Sequence, residues 1–175
     1  MISFQPTLKP AFHRGFMFSK SVEKEFQELL QKYPSKRSAL LPALYVVQRE
    51  LGWLAPEGIE YVGSLMGLSP AQVTEVATFY LMFYTKPVGK NVIWVCQNLS
   101  CSLRGAEQVI EHIEKKLNIK VGQTTPDGKF TLFRQECLAS CDTAPMMQVN
   151  DDYEENLTLA RIDEILDRLS KKKEE

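Results

Sequence analysis

In the first half of the chain, apolar residues recur every three to four positions. Val22, Phe26, Leu29, Leu30 and Tyr33 form one such stripe, predicting a helix capped by Ser21 and stopped by Pro34. A second stripe, Leu40, Leu41, Leu44, Val47 and Leu51, predicts a helix over residues 38–51 that ends at Gly52. Pro42 is tolerable there only near the first turn, since deeper inside it would remove a helical hydrogen bond. A short third helix starts at Pro56 and carries Ile59, Val62, Leu65 and Met66. The clearest start signal is Ser69-Pro70-Ala71-Gln72, which sets a capping serine, a proline at the first helical position and a glutamine three residues after the cap. Val73, Val76, Ala77 and Tyr80 then form the predicted buried face of a fourth helix.

The pattern changes after Thr85-Lys86-Pro87-Val88-Gly89, a turn-rich break that reads as a domain boundary. Asn91 to Cys96 is a short β-rich run, and a helix is predicted from about Leu103 to Leu117 with Ala106, Val109, Ile110 and Ile113 on its apolar side. Phe130 to Phe133 and Met146 to Val149 read as further strands, and Asn150-Asp151-Asp152 turns the chain into a fourth. A last amphipathic helix carries Leu159, Ile162, Leu166 and Leu169, ahead of a charged tail from Lys171. The expected organisation is an arm over 1–18, a helical bundle over 19–88 and a small domain over 89–175. The fold class is α+β, with an α/β second part whose strand and helix order implies a mixed sheet with flanking helices.

Composition narrows the function by exclusion. A formal net charge of −1 removes the basic excess that nucleic-acid binders show. The longest apolar stretch, Val76 to Tyr84, is under half of the roughly 20 residues a membrane-spanning helix needs, so no membrane insertion is expected. Pro6, Pro10, His13 and Arg14 interrupt any secretion-signal pattern, and a reducing, cytosolic compartment is expected. The 9 glycines include no Gly-x-Gly, so neither a dinucleotide fingerprint nor a phosphate loop is built here. His13 and His112 read as ordinary residues, and no catalytic grouping of serine, histidine and carboxylate stands out.

The candidate chemistry lies in the 4 cysteines, all between positions 96 and 141. They form two pairs, Cys96-x4-Cys101 and Cys137-x3-Cys141, each following a predicted strand. If those strands are neighbours, both loops emerge at one end of the sheet. A [2Fe–2S] cluster takes two thiolates on each iron, which suits two loops giving two each. Cys101 is expected just ahead of a helix, whose free N–H groups and dipole favour thiolate; Arg104 adds positive charge, while Glu136 and Asp142 act oppositely and imply a low potential. Structural zinc is an alternative, although its sites most often use a two-residue spacing that is absent here. A disulfide framework lacks a secretion context, and a thioredoxin-type dithiol lacks Cys-x-x-Cys.

The run from Glu136 to Asp151, with Cys137-Leu138-Ala139-Ser140-Cys141-Asp142-Thr143-Ala144-Pro145, resembles the second cysteine motif of the small [2Fe–2S] subunit of NADH-quinone oxidoreductase, the E subunit of bacterial complex I. Cys96-Gln97-Asn98-Leu99-Ser100-Cys101 is similar to its first pair, and Leu41-Pro42-Ala43-Leu44 and Val76-Ala77-Thr78-Phe79-Tyr80 extend the likeness to the helical half. Ala139 departs from it, standing where the family has glycine. The resemblance implies a thioredoxin-like ferredoxin domain behind a helical bundle, with a cis proline at Ala144-Pro145. It implies one [2Fe–2S] cluster on Cys96, Cys101, Cys137 and Cys141, and an electron carrier without catalytic residues of its own. It also implies a partner subunit that binds NADH and FMN, within the cytoplasmic peripheral arm of a membrane-attached complex. Relatives in soluble NAD-linked hydrogenases and formate dehydrogenases leave the electron acceptor open, and a zinc-stabilised binding module is the competing class. Phe4, Phe12, Phe16 and Phe18 of the arm are candidate anchors for that partner.

Overall fold

A computed structural model describes residues 18–171. Between Pro87 and Val88 the chain divides into two compact units. The first holds helices α1 (Lys20–Gln31), α2 (Leu40–Leu51), α3 (Pro56–Met66) and α4 (Pro70–Phe79).

Helix α1 starts two residues earlier than Ser21 would set it. Ser19 is the cap, its hydroxyl accepting from the Val22 N–H at 3.4 Å, while Ser21 bonds to Ser19 from inside the first turn. The helix also ends at Gln31, short of Pro34, because the residue before a proline resists helical geometry. A single 3₁₀ turn, Arg37–Ala39, leads into α2, so Pro42 sits in the first turn, where its missing N–H has no helical partner to lose. Gly52 closes α2 in the left-handed region at φ 77°, and its N–H reaches the Gln48 carbonyl at 2.7 Å. The capping box of α4 forms as the sequence predicts: Ser69 N–H donates to Gln72 Oε1 at 2.9 Å and Gln72 N–H donates to Ser69 Oγ at 3.3 Å.

Phe26, Leu40, Leu44, Val47, Leu54, Val62, Met66 and Val73 fill the core of this unit. Gly58 lets α3 approach α2 closely, since a Cβ there would stand 2.7 Å from Val47 Cγ1. Phe18, expected in the arm, belongs to this core instead; its ring lies 5.4 Å from Phe26 and 5.1 Å from Tyr61. Phe4, Phe12 and Phe16 lie outside the described residues, as does the tail beyond Lys171. Tyr80 also departs from expectation: α4 stops at Phe79, Tyr80 turns to extended backbone, and its side chain is 38% exposed. Gln48 holds the segment that follows, donating from Nε2 to the Met82 carbonyl and accepting from the Tyr84 N–H, both at 2.8 Å.

The second unit holds β1 (Asn91–Cys96), α5 (Leu99–Leu103), α6 (Ala106–Leu117), β2 (Phe130–Gln135), β3 (Met147–Val149), β4 (Asp152–Glu154) and α7 (Leu159–Lys171). Its strands form one mixed sheet in the order β2-β1-β3-β4, with β1 parallel to β2 and antiparallel to β3. The strands match the β-rich runs read from the pattern; β2 runs two residues further. The single helix predicted over 103–117 is broken, because Gly105 takes φ 94° and starts α6 afresh. Ile110, Ile113, Ile162, Ile165 and Leu166 from α6 and α7 pack with Ile93, Val95, Leu132 and Met147 of the sheet. Asp163 ties α7 to α6, taking His112 Nε2 at 2.9 Å and Lys116 Nζ at 3.0 Å.

Two details pin the register. Asn150 bonds Val92 from both its backbone and its side chain, with N–H to carbonyl and N–H to Oδ1 each 2.9 Å. Gly89 lies so close to β2 that a Cβ would stand 2.8 Å from the backbone of Phe130, and its N–H donates to Thr131 Oγ1 at 2.6 Å.

Candidate metal centre

Cys96 is the last residue of β1 and pairs with Gln135, the last residue of β2. Because the two strands are parallel, the chain leaves both at the same end of the sheet. Gln97 extends the pairing, its N–H donating to the Gln135 carbonyl at 2.9 Å and its side chain to Glu136 Oε1 at 3.0 Å. Asn98 then caps α5, accepting from the Leu99 N–H at 2.7 Å, and this short helix carries Cys101. Cys137 and Cys141 lie on the loop between β2 and β3, the second at the start of a 3₁₀ turn, Cys141–Thr143. Arg104 joins the two cysteine segments, donating from Nε to the Ala144 carbonyl at 2.6 Å.

Cys96 and Cys101 are buried in a small apolar cluster with Ala106, Leu138, Ala144 and Met146. Cys137 and Cys141 are exposed, and none of the cysteines is in a disulfide. Burial, then a hydrogen bond with Cys96, pushes the Cys101 thiol up to about 11; a backbone hydrogen bond at Met146 acts against this, and Cys141 adds to it. That reverses the expectation of a stabilised thiolate. Cys101 lies within α5 rather than ahead of the longer helix, and desolvation outweighs the few donors it meets. The structure thus gathers Cys96, Cys101 and Cys141 into one neighbourhood. Cys137 stands on the outer side, its Sγ accepting from the Ala139 N–H at 3.4 Å.

Among the described residues, no three His, Cys, Asp or Glu side chains are drawn together tightly enough to hold a metal ion. The donor chemistry nevertheless fits a four-thiolate group. Two loops supply two thiols each at one sheet end, one pair buried among apolar side chains and the other exposed.

The loop around Cys141 depends on residues that sequence spacing does not single out. Glu155 accepts from Thr143 Oγ1 at 2.8 Å and makes a short hydrogen bond with Ser140 Oγ. Those two hydroxyls, Ser140 first, hold its carboxyl below the usual carboxylate range. Tyr153 donates its hydroxyl to the Leu138 carbonyl at 2.8 Å, Asn156 N–H donates to the Thr143 carbonyl at 2.8 Å, and Leu157 N–H to that of Pro145 at 2.9 Å. Only the turn pattern at Asn150-Asp151-Asp152 hinted that the chain doubles back here. The Ala144–Pro145 peptide is cis, as the resemblance implies, and Ala139 takes φ 61°.

A mixed sheet in this order, packed by α6 and α7 and ending in two thiol pairs, defines a small thioredoxin-like domain with thiol chemistry at one sheet end. The profile of the thioredoxin-like [2Fe-2S] ferredoxin family matches residues 26–170, and the chain belongs to that family. The NADH-quinone oxidoreductase E subunit 2 of Rhizobium meliloti (strain 1021) is 44% identical over 147 residues, covering 84% of this chain and 88% of that one. The NADH-quinone oxidoreductase E subunit of Rickettsia conorii (strain ATCC VR-613 / Malish 7) is 45% identical over 158 residues, 89% of this chain and 95% of that one. The mitochondrial NADH dehydrogenase [ubiquinone] flavoprotein 2 of Dictyostelium discoideum is 40% identical over 164 residues, 92% of this chain and 66% of that one. Among solved structures, an air-oxidized NAD+-reducing [NiFe]-hydrogenase shares the fold with a TM-score of 0.66 at 21% identity, over 73% of this chain and 22% of the hydrogenase chain. No helix among the described residues is long and apolar enough to cross a membrane.

Proposed function

We propose that this chain is a one-electron carrier subunit of an NADH dehydrogenase complex of the NADH-quinone oxidoreductase type, with one [2Fe–2S] cluster on Cys96, Cys101, Cys137 and Cys141. The observation that carries this reading is the parallel β1–β2 pairing, which ends both strands at a thiol pair on one side of the sheet. When bound, the cluster supplies a couple that takes up and releases single electrons. Cys96 and Cys101 anchor it on the apolar side with Leu138 and Met146, away from water. Cys137 and Cys141 hold the solvent side, where a partner can approach closely enough for electron exchange. The partner is a subunit carrying FMN and the NADH site, and the complex places this chain in a peripheral arm on the cytoplasmic side. Relatives at 44% and 45% identity over most of both chains support the quinone-linked assembly over a hydrogenase one, where the likeness is of fold.

The test is anaerobic purification followed by iron, sulfide and zinc assays, with absorption and EPR spectra before and after dithionite. Equal iron and sulfide at two of each per chain, visible bands that bleach and a reduced EPR signal are expected. A colourless protein with one zinc and no sulfide overturns the reading. Co-purification with a flavin-containing subunit tests the partner.

A further inference from the structure

The loop from Cys137 to Pro145 contains a single 3₁₀ turn and no strand, so its shape must come from what grips it. Arg104 holds it at the Ala144 carbonyl, and most of the remaining grip comes from the chain after β3. The stretch from Tyr153 to Leu157 meets it at Leu138, Ser140, Thr143 and Pro145 in succession. Most of these contacts end on backbone carbonyls, which any sequence offers. Glu155 is different, because its single carboxylate takes two hydroxyls, from Ser140 and Thr143, which bracket Cys141 in sequence. The two hydroxyl oxygens stand 2.8 Å apart, so both meet the carboxylate as one compact polar cluster.

We propose that Glu155 is the positioning residue of the cysteine loop: through Ser140 and Thr143 it sets where Cys141 stands, and its negative charge depresses the potential of the group held there. The first part needs only this chain, and the second rests on the cluster proposed above. Groups that orient ligands commonly matter about as much as weak ligands do, with losses of roughly tenfold or more in metal retention when they are removed. Glu155 is exposed and outside the hydrophobic core, so its replacement leaves the packing of the unit intact.

The experiment uses the full chain with Glu155→Ala, Glu155→Gln and Thr143→Val. In the cluster-free protein, amide hydrogen exchange over residues 138–145 should quicken severalfold in Glu155→Ala and Thr143→Val. Glu155→Gln keeps an oxygen acceptor and should restore protection. In the loaded protein, Glu155→Ala should release iron to a chelator about tenfold faster, in line with other ligand-orienting groups. Glu155→Gln should release it near the parent rate while its midpoint potential shifts upward, a signature that a purely structural role would not give. Unchanged exchange in both Glu155→Ala and Thr143→Val overturns the positioning role, and an unshifted Glu155→Gln potential overturns the charge effect. A parent protein that takes up no iron or sulfide defeats the cluster reading instead, and the exchange result still decides the role of Glu155.

Discussion

Ala139 is the residue at which a small substitution should improve the protein. It adopts φ 61°, in the left-handed region, and it is exposed, so no packing is gained or lost when its methyl group goes. An alanine held there costs about 1–2 kcal/mol relative to glycine because Cβ crowds the following carbonyl. Glycine brings its own cost of about 0.5–1 kcal/mol through greater freedom in the unfolded chain. Ala139→Gly should therefore stabilise the unit of residues 88–175 by a net of about 0.5–1 kcal/mol. For a unit of that size, this corresponds to about 2–6 °C in melting temperature. Calorimetry on the cluster-free chain, following the transition of this unit, measures it. The Ala139 N–H that reaches Cys137 Sγ at 3.4 Å survives the change, so the absorption spectrum of the loaded protein should not move. Ala139→Val should fall on the other side of the parent, since a β-branched residue tolerates this backbone less well. A glycine variant melting at or below the parent would show that the loop is not strained there, and the reasoning fails.

Gly89→Ala should destabilise the same unit by about 1–3 kcal/mol, because the new methyl group meets the backbone of Phe130 at 2.8 Å and β2 must shift; a denaturant midpoint equal to the parent's would refute that contact. Glu107, held below the usual carboxylate range first by its hydrogen bond with Arg134, and Asp163, held there first by His112, both contribute stability only while ionised. Their folded values lie below the unfolded ones, so the contribution is whole above the ordinary carboxylate range and fades as pH falls through it, below about 4. Melting temperatures should be flat from pH 7 to 5 and decline beneath that, less steeply in Glu107→Gln than in the parent; equal slopes would dismiss the Arg134 pair as a contributor. Redox titration of the loaded protein should give a midpoint below zero, given Glu136, Asp142 and Glu155 around the second cysteine pair; a value well above zero would contradict the acidic setting.

Local rules carried the sequence reading furthest. Gly52, Pro56 and the box at Ser69 and Gln72 act within one turn of their own helix, so position along the chain determines their effect. The strands were legible because each is a short β-rich run between turn residues, while the cysteines only suggested that β1 and β2 are neighbours and left the rest of the order open. Failures came where distant chain decides. Tyr80 has helical spacing, but Gln48 captures the segment after it and pulls it out of the helix. Gly105 reads as one glycine in a long amphipathic run, and only its positive φ shows two helices. Cys101 looked like a stabilised thiolate because its neighbours in sequence are donors, whereas its neighbours in space are Leu138 and Met146. Glu155 lies 14 positions beyond Cys141 and no spacing rule connects the two.

The parallel pairing of β1 with β2 also favours an order of assembly. Between these strands lie residues 97–129, including α5 and α6, so their contact closes a long loop, while the helical unit is built from near neighbours. Contacts between distant segments form late, after local ones have set. Cys96 and Cys101 can thus be in place while Cys137 and Cys141 are still far off, and a chain at that stage offers iron only half a donor set. For the proposed cluster, loading then belongs to the finished fold, at the side where Cys137 and Cys141 are exposed.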